Sequence, residues 1–269
     1  MRITGKTKIM FILADAVDHI VGSDVLNRAF ETEGYDIAVS PLSVAPADLE
    51  QTVAAIRRFA NVIGFGVTIP HKIEILRHVD ALTEAAQAIG AVNFVRQDAD
   101  GRLVGHNVDG EGFVAGLINH GVAIKGAKVV QIGAGGVGRA IAYALAQAGA
   151  ASIALVNRDV AKADDLAATV RANSPDTMIS VHASQDDVPD GAYDLIINAT
   201  SLGMHAGDPF PLSRDFISSG TTVAEVIMKP AITPLLEEAG RLGARAIPGL
   251  SMMQPQPHLV ARFLELSTA

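Results

Sequence analysis

One short glycine-rich segment constrains the fold more than any other feature of the chain. It reads Gly133-Ala-Gly-Gly-Val-Gly138, follows the apolar run Lys128 to Ile132 and precedes a helical stretch from Arg139 to Ala148. A strand, a GxGxxG turn and a helix in that order begin a dinucleotide-binding βαβ unit. The first glycine permits the tight turn, the second lets the backbone approach a pyrophosphate, and the third allows close packing of the helix. The alternative is a glycine turn without a ligand. The predicted cofactor contacts here are Gly133, Ala134, Gly135, Gly136, Val137 and Gly138.

The end of the next strand indicates which dinucleotide is bound. That strand ends at Asn157-Arg158-Asp159, 24 residues after Gly133. An acidic residue there binds a ribose 2′-hydroxyl and selects NAD, whereas an arginine neutralises the 2′-phosphate of NADP. Arg158 comes first and Lys162 lies one helical turn beyond, so we predict NADP and keep NAD as the alternative because of Asp159. Asp159 could instead cap the helix that follows.

Short β-branched runs alternate with alanine-rich helical stretches along the chain. This alternation predicts an α/β fold with parallel layers. The predicted strands are Ile9 to Leu13, Asp36 to Val39, Val62 to Val67, Val92 to Val95, Lys128 to Ile132, Ser152 to Val156, Leu195 to Asn198 and Thr222 to Glu225. The predicted helices are Ala47 to Phe59, Gly112 to Ile118, Gly138 to Ala148, Ala161 to Arg171 and Pro234 to Arg241, with a last helix at Met252 to Leu266.

A length of 269 residues favours two domains. The polar, turn-rich segment from Asp98 to Gly110 marks the expected boundary. We predict an α/β substrate-binding domain over residues 1–108 and a doubly wound Rossmann domain over residues 109–247. The last helix is expected to return, so that residues 248–269 complete the first domain.

Composition excludes several classes of function. A formal net charge of −8, without any run of Lys or Arg, argues against a nucleic-acid partner. The absence of cysteine excludes disulfides, thiolate metal sites and cysteine nucleophiles, and it suits a cytoplasmic location. The few histidines are scattered, so we predict no metal site. No stretch approaches the roughly 20 apolar residues of a membrane span, so we expect a protein without a membrane partner.

Eight motifs occur in collinear order, and together they resemble the shikimate dehydrogenase family along nearly the whole chain. They are Val67-Thr-Ile-Pro-His-Lys72, Gly90-Ala-Val-Asn93, Asn107-Val-Asp-Gly110, Gly133-Ala-Gly-Gly-Val-Gly138, Asn157-Arg158, Asn198-Ala-Thr-Ser201, Pro230 with Thr233-Pro-Leu235, and Gly249 through Met252 to Gln256. The resemblance implies cytoplasmic enzymes of aromatic amino acid biosynthesis, on the chorismate pathway, that reduce 3-dehydroshikimate to shikimate with NADPH. Quinate is a related substrate.

The resemblance also implies residue roles. Lys72 would be the general acid/base and Asp109 its partner, while Thr68, Asn93 and Gln256 would contact the substrate. Hydride transfer at an alcohol carbon needs a proton carrier at its oxygen, which a lysine can be. Taken singly, Lys72 is as readily a solvated helix start, and Asp109 a turn residue. The further cofactor contacts implied are Asn157, Thr200, Val226 and Gly249, although the hydroxyls of Thr200 and Ser201 could simply cap the strand. His71 beside Lys72 is a less favoured proton relay.

The chain departs from the family where the substrate carboxylate is bound. Two family serines in the first loop correspond to Ile20 and Gly22, the family tyrosine to Met228, and the asparagine before Val-Thr to Gly66. Side chains that cannot donate hydrogen bonds leave a buried carboxylate costly to bind. Two alternatives follow. Shikimate is turned over weakly, with its carboxylate held by backbone N–H groups or by a cation such as Lys229, or the true substrate is a related alcohol with a different group at that end.

The predicted function is reversible hydride transfer between NADP(H) and shikimate, or a closely related cyclic polyol, by a monomer or homodimer. The alternative is a catalytically silent NADP sensor that uses cofactor binding to recruit a partner. Retention of both Lys72 and Asp109 argues against the sensor, because a sensor has no need of a proton carrier.

Overall fold

Two separate sheets organise the chain in a computed structural model, which describes residues 2–18 and 20–267. In chain order the strands are β1 Lys8–Ala14, β2 Ile37–Ser43, β3 Val62–Val67, β4 Ala81–Leu82, β5 Phe94–Gln97, β6 Leu103–His106, β7 Lys128–Ile132, β8 Ser152–Val156, β9 Met178–His182, β10 Leu195–Asn198, β11 Thr222–Glu225 and β12 Arg245–Ile247. The α-helices are α1 Gly22–Thr32, α2 Leu49–Ile56, α3 Glu84–Ile89, α4 Asp109–Asn119, α5 Gly136–Gln147, α6 Val160–Asn173, α7 Pro234–Arg241 and α8 Gln256–Phe263. Short 3₁₀ turns occupy Pro46–Asp48, Glu74–Arg77, Gln185–Asp187, Arg214–Phe216 and Gly249–Met252.

The first unit, residues 2–108 with 256–267, is built on a mixed sheet. Its strand order is β2-β1-β3-β5-β6-β4. The β1 strand pairs in parallel with β2 and β3, whereas β5 runs antiparallel to both β3 and β6. The expectation of purely parallel layers is therefore wrong for this sheet. The physical reason is the tight turn of residues 98–101 between β5 and β6, since so short a link can join only antiparallel strands.

The second unit, Asp109–Pro255, carries an entirely parallel sheet. Its strand order is β12-β11-β10-β7-β8-β9. This is the doubly wound order, in which the direction of strand addition reverses between β7 and β10. Ligands of such sheets bind outside the carboxyl ends of the strands at that reversal. The predicted Rossmann architecture is confirmed.

Each sheet is covered on both faces. In β1, Met10 and Ile12 join the apolar cluster beneath α1 and α8, whereas Leu13 joins the cluster on the α2 side. In β7, Val129 packs with residues of α5 and α6, whereas Val130 packs with residues of α7. Alternate residues of a strand face opposite sides, so a doubly covered strand is apolar at nearly every position.

The chain rejoins the first unit later than the sequence indicates. The segment expected to form one helix from Met252 to Leu266 is a 3₁₀ turn at Gly249–Met252 followed by α8. The residues before Gln256 belong to the second unit, rather than the first from residue 248. Close packing explains this, because a Cβ placed on Gly116 of α4 would lie 2.5 Å from the Ser251 carbonyl oxygen.

Across residues 2–18 and 20–267, none of the helices has both the length and the apolar character that crossing a membrane requires.

Candidate active site

Two glycines of the glycine-rich turn are required by the fold itself. Gly133 has φ 105°, and a Cβ there would lie 2.8 Å from the Ala199 carbonyl oxygen. A Cβ on Gly138 would lie 2.4 Å from the Gly133 carbonyl oxygen. These distances allow neither position a side chain, so the turn from β7 into α5 can form only with glycine at both.

Gly135 and Gly136 have a different environment. A Cβ on either would meet nothing within 4 Å. Gly135 is the N-cap of α5 and caps it with no side chain, so the first turn of the helix presents backbone N–H groups to open space. Open space beside an uncapped helix N-terminus is the environment that a pyrophosphate requires. The residues present therefore fit a dinucleotide.

Asn157 ties the end of β8 to the glycine-rich turn. Its Oδ1 accepts the N–H of Ala134 at 3.1 Å, and its Nδ2 donates to the Asp159 carbonyl oxygen at 2.7 Å. A further backbone bond joins Gly133 N to the Val156 carbonyl oxygen at 2.9 Å. Asn157 thus holds the two predicted cofactor segments in one rigid arrangement.

Three charged residues follow β8: Asp159 and Lys162 are paired with each other, whereas Arg158 is not paired with any other described residue. Asp159 is the N-cap of α6, accepting the Lys162 N–H at 3.3 Å, and it forms an ion pair with Lys162 Nζ at 3.2 Å. These bonds from Lys162 lower the pKa of Asp159. Arg158 is exposed, and within the described part of the chain its side chain has no hydrogen bond or ion pair. The capping alternative for Asp159 is thus the arrangement observed.

Thr200 lies against the glycine-rich turn after β10. Its Oγ1 donates to Asn198 Oδ1 at 2.6 Å and accepts the Leu202 N–H at 3.1 Å. Its methyl carbon would lie 2.9 Å from a Cβ on Gly133. The hydroxyl is therefore used inside its own turn, while the methyl group packs beside the predicted cofactor site. Ser201, the next residue, is exposed.

Val226 and Gly249 meet at the carboxyl end of β11. A Cβ on Gly249 would lie 2.2 Å from the Ile227 carbonyl oxygen and 2.6 Å from the carbonyl carbon of Val226. The Val226 N–H donates to the Asn198 carbonyl oxygen at 3.2 Å. Val226, Gly249 and Thr200 thus gather after β10 and β11, at the edge of the sheet where such folds bind ligands.

One buried carboxyl group at this edge was not predicted as a site residue. Glu225, the last residue of β11, is 1% exposed, and its Oε2 accepts the Thr233 hydroxyl at 2.9 Å. Burial raises the pKa of Glu225 to about 7, although hydrogen bonds from Thr233 and Asn198 act in the opposite direction. An acidic residue closing the apolar run Thr222–Glu225 was the available sequence signal.

Backbone hydrogen bonds place Thr68, Lys72 and Asn93 together in the first unit. Thr68 N donates to the Leu13 carbonyl oxygen at 3.0 Å, which continues the pairing of β3 with β1. The Lys72 carbonyl oxygen accepts the Val92 N–H at 2.8 Å, and the Asn93 carbonyl oxygen accepts the Val67 N–H at 2.7 Å. The segment after β3 therefore leaves the sheet and returns beside the segment that leads into β5.

His71 anchors this segment to the core of the first unit. Its ring is 1% exposed, and Nε2 lies 2.8 Å from the Val44 carbonyl oxygen. The Ile75 N–H donates to the His71 carbonyl oxygen at 3.0 Å. With its ring directed into the core, His71 serves as an anchor for the loop that carries Lys72.

The Asn93 side chain is hydrogen-bonded to the residue that precedes the second unit. Its Oδ1 accepts the Val108 N–H at 2.9 Å, and Val108 precedes Asp109, the first residue of α4. Asp109 is 6% exposed and belongs to the second unit. Gln256, also buried, is the first residue of α8 in the first unit.

The positions where the family binds the substrate carboxylate carry no hydrogen-bonding side chain in this structure. Ile20 is half-buried and packs against the cluster that contains Ile12 and Phe94. A Cβ on Gly22 would lie 3.5 Å from Ile12 Cδ1. Met228 is half-buried in the second unit, three residues after the end of β11. His19, which precedes Ile20 in the sequence, lies outside the described residues.

Among the described residues, no group of three or more His, Cys, Asp or Glu side chains is arranged to hold a metal ion.

Comparisons with known proteins identify the family. Residues 12–95 match the shikimate dehydrogenase substrate binding domain, and residues 117–203 match shikimate / quinate 5-dehydrogenase. A shikimate dehydrogenase (NADP(+)) of Geobacter metallireducens is 37% identical over 264 residues, covering 95% of this chain and 90% of the relative.

Two solved structures are similar throughout. The ligand-free 5-ketofructose reductase of Gluconobacter sp. strain CHM43 has a TM-score of 0.87 and 30% identity, covering 97% of this chain and 94% of that one. The shikimate 5-dehydrogenase of Listeria monocytogenes, in complex with shikimate and NAD, has a TM-score of 0.87 and 30% identity, covering 98% and 93%. The resemblance predicted from the motifs is confirmed, and the chain belongs to the shikimate dehydrogenase family.

Proposed function

We propose that this chain catalyses reversible hydride transfer between NADP(H) and one secondary alcohol of a polyhydroxylated substrate. The observation that carries the proposal is the position of Lys72, whose backbone is hydrogen-bonded to Val92 immediately before Asn93. A lysine held beside an amide side chain and the hydroxyl residue Thr68 is suited to binding a polyol and exchanging one of its protons.

The second unit would hold the cofactor. The N–H groups of the first turn of α5 would bind the pyrophosphate, for which the bare Gly135 and Gly136 leave room. Arg158 would neutralise the 2′-phosphate, with Lys162 beside it. Bound NADPH supplies the hydride that a ketone requires. Because Asp159 already caps α6 and pairs with Lys162, we propose NADP rather than NAD as the preferred cofactor.

Lys72 and Asp109 would handle the proton. During reduction the Lys72 ammonium group donates a proton to the oxygen of the former ketone, and in the reverse direction the amine accepts it. Asp109, buried at the start of α4, would stabilise the lysine and accept a substrate hydroxyl. Asn93 and Gln256 would bind the remaining hydroxyls. Their polar groups orient the substrate so that one alcohol carbon is presented for reaction.

The names of the relatives indicate two kinds of substrate. Those of the Geobacter and Listeria proteins specify shikimate, a carboxylated cyclic polyol, whereas that of the Gluconobacter protein specifies 5-ketofructose, a ketose without a carboxylate. The shared chemistry is a ketone next to a hydroxyl-bearing carbon. We propose reduction of such a ketone in the cytoplasm, by a monomer or homodimer.

Substitution of Lys72 by Ala tests the catalytic role. We expect kcat to fall about 10²- to 10⁴-fold, the usual contribution of a general acid/base, with NADP affinity unchanged. Lys8→Ala, an exposed lysine at the start of β1, is the matched control and should keep parental turnover. Parental kcat in Lys72→Ala would refute the role of Lys72. A parent protein that binds NADP but oxidises no polyol would instead support the sensor.

A further inference from the structure

The polar residues proposed to bind substrate adjoin an apolar wall in the first unit. Ile12 of β1 is opposite Gly66 of β3, and Gly66 is opposite Phe94 of β5, so the three form one row across the sheet. Residues opposite one another on paired strands project to the same face. The row lies on the face covered by α1 and α8.

The wall is continuous because Gly66 has no side chain. A Cβ at Gly66 would lie 3.2 Å from Phe94 Cε1 and 3.3 Å from Ile12 Cγ1. Phe94 and Ile12 therefore approach each other across the glycine, and both are more than 90% buried. Gly22 lies beside Ile12, Ile20 packs against the cluster that contains Ile12, and both are only half-buried. These two form the accessible surface of the wall.

The wall is on the same face as Thr68. Gly66 and Thr68 are two residues apart in extended backbone, which places them on one face about 6 to 7 Å apart. The bond from Thr68 N to the Leu13 carbonyl oxygen shows that the pairing continues to this residue. A substrate bound at Thr68 and Lys72 would therefore extend toward Ile20 and Gly22.

Two basic side chains on this face are already engaged. Arg96 donates to Asp98 Oδ1 at 2.8 Å, forms a second ion pair with Glu265 and lies over the Phe263 ring. The His106 ring packs on Phe263 with centroids 4.8 Å apart, and its Nδ1 is 2.8 Å from Thr83 Oγ1. Neither side chain is available to neutralise an anion at the wall.

We infer that the substrate is a neutral polyhydroxy ketone or alcohol, carrying an uncharged group where it meets Ile20 and Gly22. This inference rests on the proposed function. An uncharged carbon-bearing end gains from contact with Ile20 and with the edge of Phe94 and Ile12. A carboxylate there would lose its water without gaining a side-chain hydrogen-bond donor from Ile20, Gly22, Ile12 or Phe94.

A matched pair of substrates tests the inference: shikimate and its methyl ester, oxidised with NADP⁺ by the intact protein. They share the reacting alcohol and differ in charge at the opposite end. We expect kcat/KM for the ester to exceed that for the acid by about 10-fold or more. The difference should lie mainly in KM, because the hydrogen bonds that the acid lacks at the wall would bind its carboxylate and take no part in the reaction. Quinate with its methyl ester, and uncharged ketoses reduced with NADPH, extend the comparison.

A variant that adds hydroxyl donors tests the wall directly. Gly22 is helical and has 3.5 Å to Ile12 Cδ1, so Gly22→Ser can be accommodated without strain. Ile20→Ser combined with Gly22→Ser should raise kcat/KM for shikimate about 10-fold and lower kcat/KM for the ester, because the ester loses its apolar contact with Ile20. Ala29→Ser is the control, since it adds a hydroxyl to α1 seven residues beyond Gly22, about 10 Å along the same helix.

The outcomes separate the inference from the proposed function. Turnover of the acids alone, or an acid kcat/KM equal to or above that of the ester, would overturn the neutral substrate and leave the dehydrogenase standing. No gain for shikimate in an Ile20→Ser/Gly22→Ser variant that still oxidises the ester would also overturn it. Failure to turn over every acid, ester and ketose with NADP(H) would overturn the proposed function, and the inference with it.

Discussion

The Asp159 carboxylate accepts the backbone N–H of Lys162 at 3.3 Å and pairs with the Lys162 ammonium at 3.2 Å. The acidic residue that could have bound a ribose hydroxyl is therefore used to begin α6. Arg158 remains as the exposed side chain beside the predicted 2′-phosphate site.

Removal of Arg158 should change cofactor preference. We expect Arg158→Ala to raise KM for NADP about 10- to 100-fold, the value of one or two hydrogen bonds to a charged group, and to change KM for NAD much less. Steady-state kinetics with both cofactors measure the ratio. Arg171→Ala, whose side chain contacts Ile179 at the far end of α6, is the control. An unchanged NADP to NAD ratio would remove Arg158 from the site.

Two glycines of the same turn should respond differently to alanine. Gly138→Ala places a methyl group 2.4 Å from the Gly133 carbonyl oxygen, so we expect a lower melting temperature and weak NADP binding. Gly135→Ala meets nothing within 4 Å, so it should keep the parental melting temperature and lose only NADP affinity. Thermal unfolding and NADP titration of both variants check this. Full NADP affinity in Gly135→Ala would show that the open space is not the pyrophosphate site.

Glu225 should make stability depend on pH. Its pKa is raised to about 7 in the folded protein from an ordinary value of 4.5, chiefly by burial. Below pH 4.5 the group is protonated in both the folded and the unfolded state, so it does not change the free energy of unfolding. As the pH rises toward 7, the group ionises first in the unfolded state, and the free energy of unfolding falls. The loss approaches about 3 kcal/mol at higher pH, at 1.36 kcal/mol for each pH unit.

The Glu225→Gln variant isolates that contribution. Relative to the parent, the free energy of unfolding of the variant should increase between pH 5 and pH 8 by an amount on the order of 3 kcal/mol. Urea unfolding at the two pH values measures it. Parallel stability curves for parent and variant would show that the Glu225 carboxyl group does not titrate with a raised pKa.

His71 should act as an anchor rather than a proton relay. His71→Phe retains a ring but leaves the buried Val44 carbonyl oxygen without its partner, so we expect about 1 to 3 kcal/mol of lost stability. Turnover falls if the Lys72 loop loosens, but the pH dependence of kcat should keep its shape. Loss of one limb of that pH profile in His71→Phe would instead assign proton transfer to the imidazole.

Strands of the two sheet centres could be predicted from sequence because they are apolar on both faces. The bounds predicted for β3, β7, β8, β10 and β11 are those observed. The edge strands β9 and β12 are not predicted, because most of their residues are exposed or half-buried and neither strand is a continuous apolar run. The α1 helix was also not predicted: it buries only Leu26 and Phe30, and its N-terminus has no capping side chain to mark it.

Site residues were predictable to the extent that they lie in contiguous motifs. The glycine-rich turn and the segment from Thr68 to Lys72 are local patterns. The apolar wall was only partly visible, because Phe94 and Ile12 come beside Gly66 through pairing of β5 and β1 with β3. Strand pairing between distant segments leaves no short-range signal, and neither does the burial that shifts the pKa of Glu225.

The most direct test of the proposed chemistry is formation of NADPH from NADP⁺, followed by absorbance, as the intact protein is offered shikimate, quinate, their methyl esters and uncharged polyols. We predict turnover of at least one of these alcohols, with higher kcat/KM for NADP⁺ than for NAD⁺ and for uncharged than for carboxylated substrates. Tight NADP⁺ binding without oxidation of any alcohol would contradict the account.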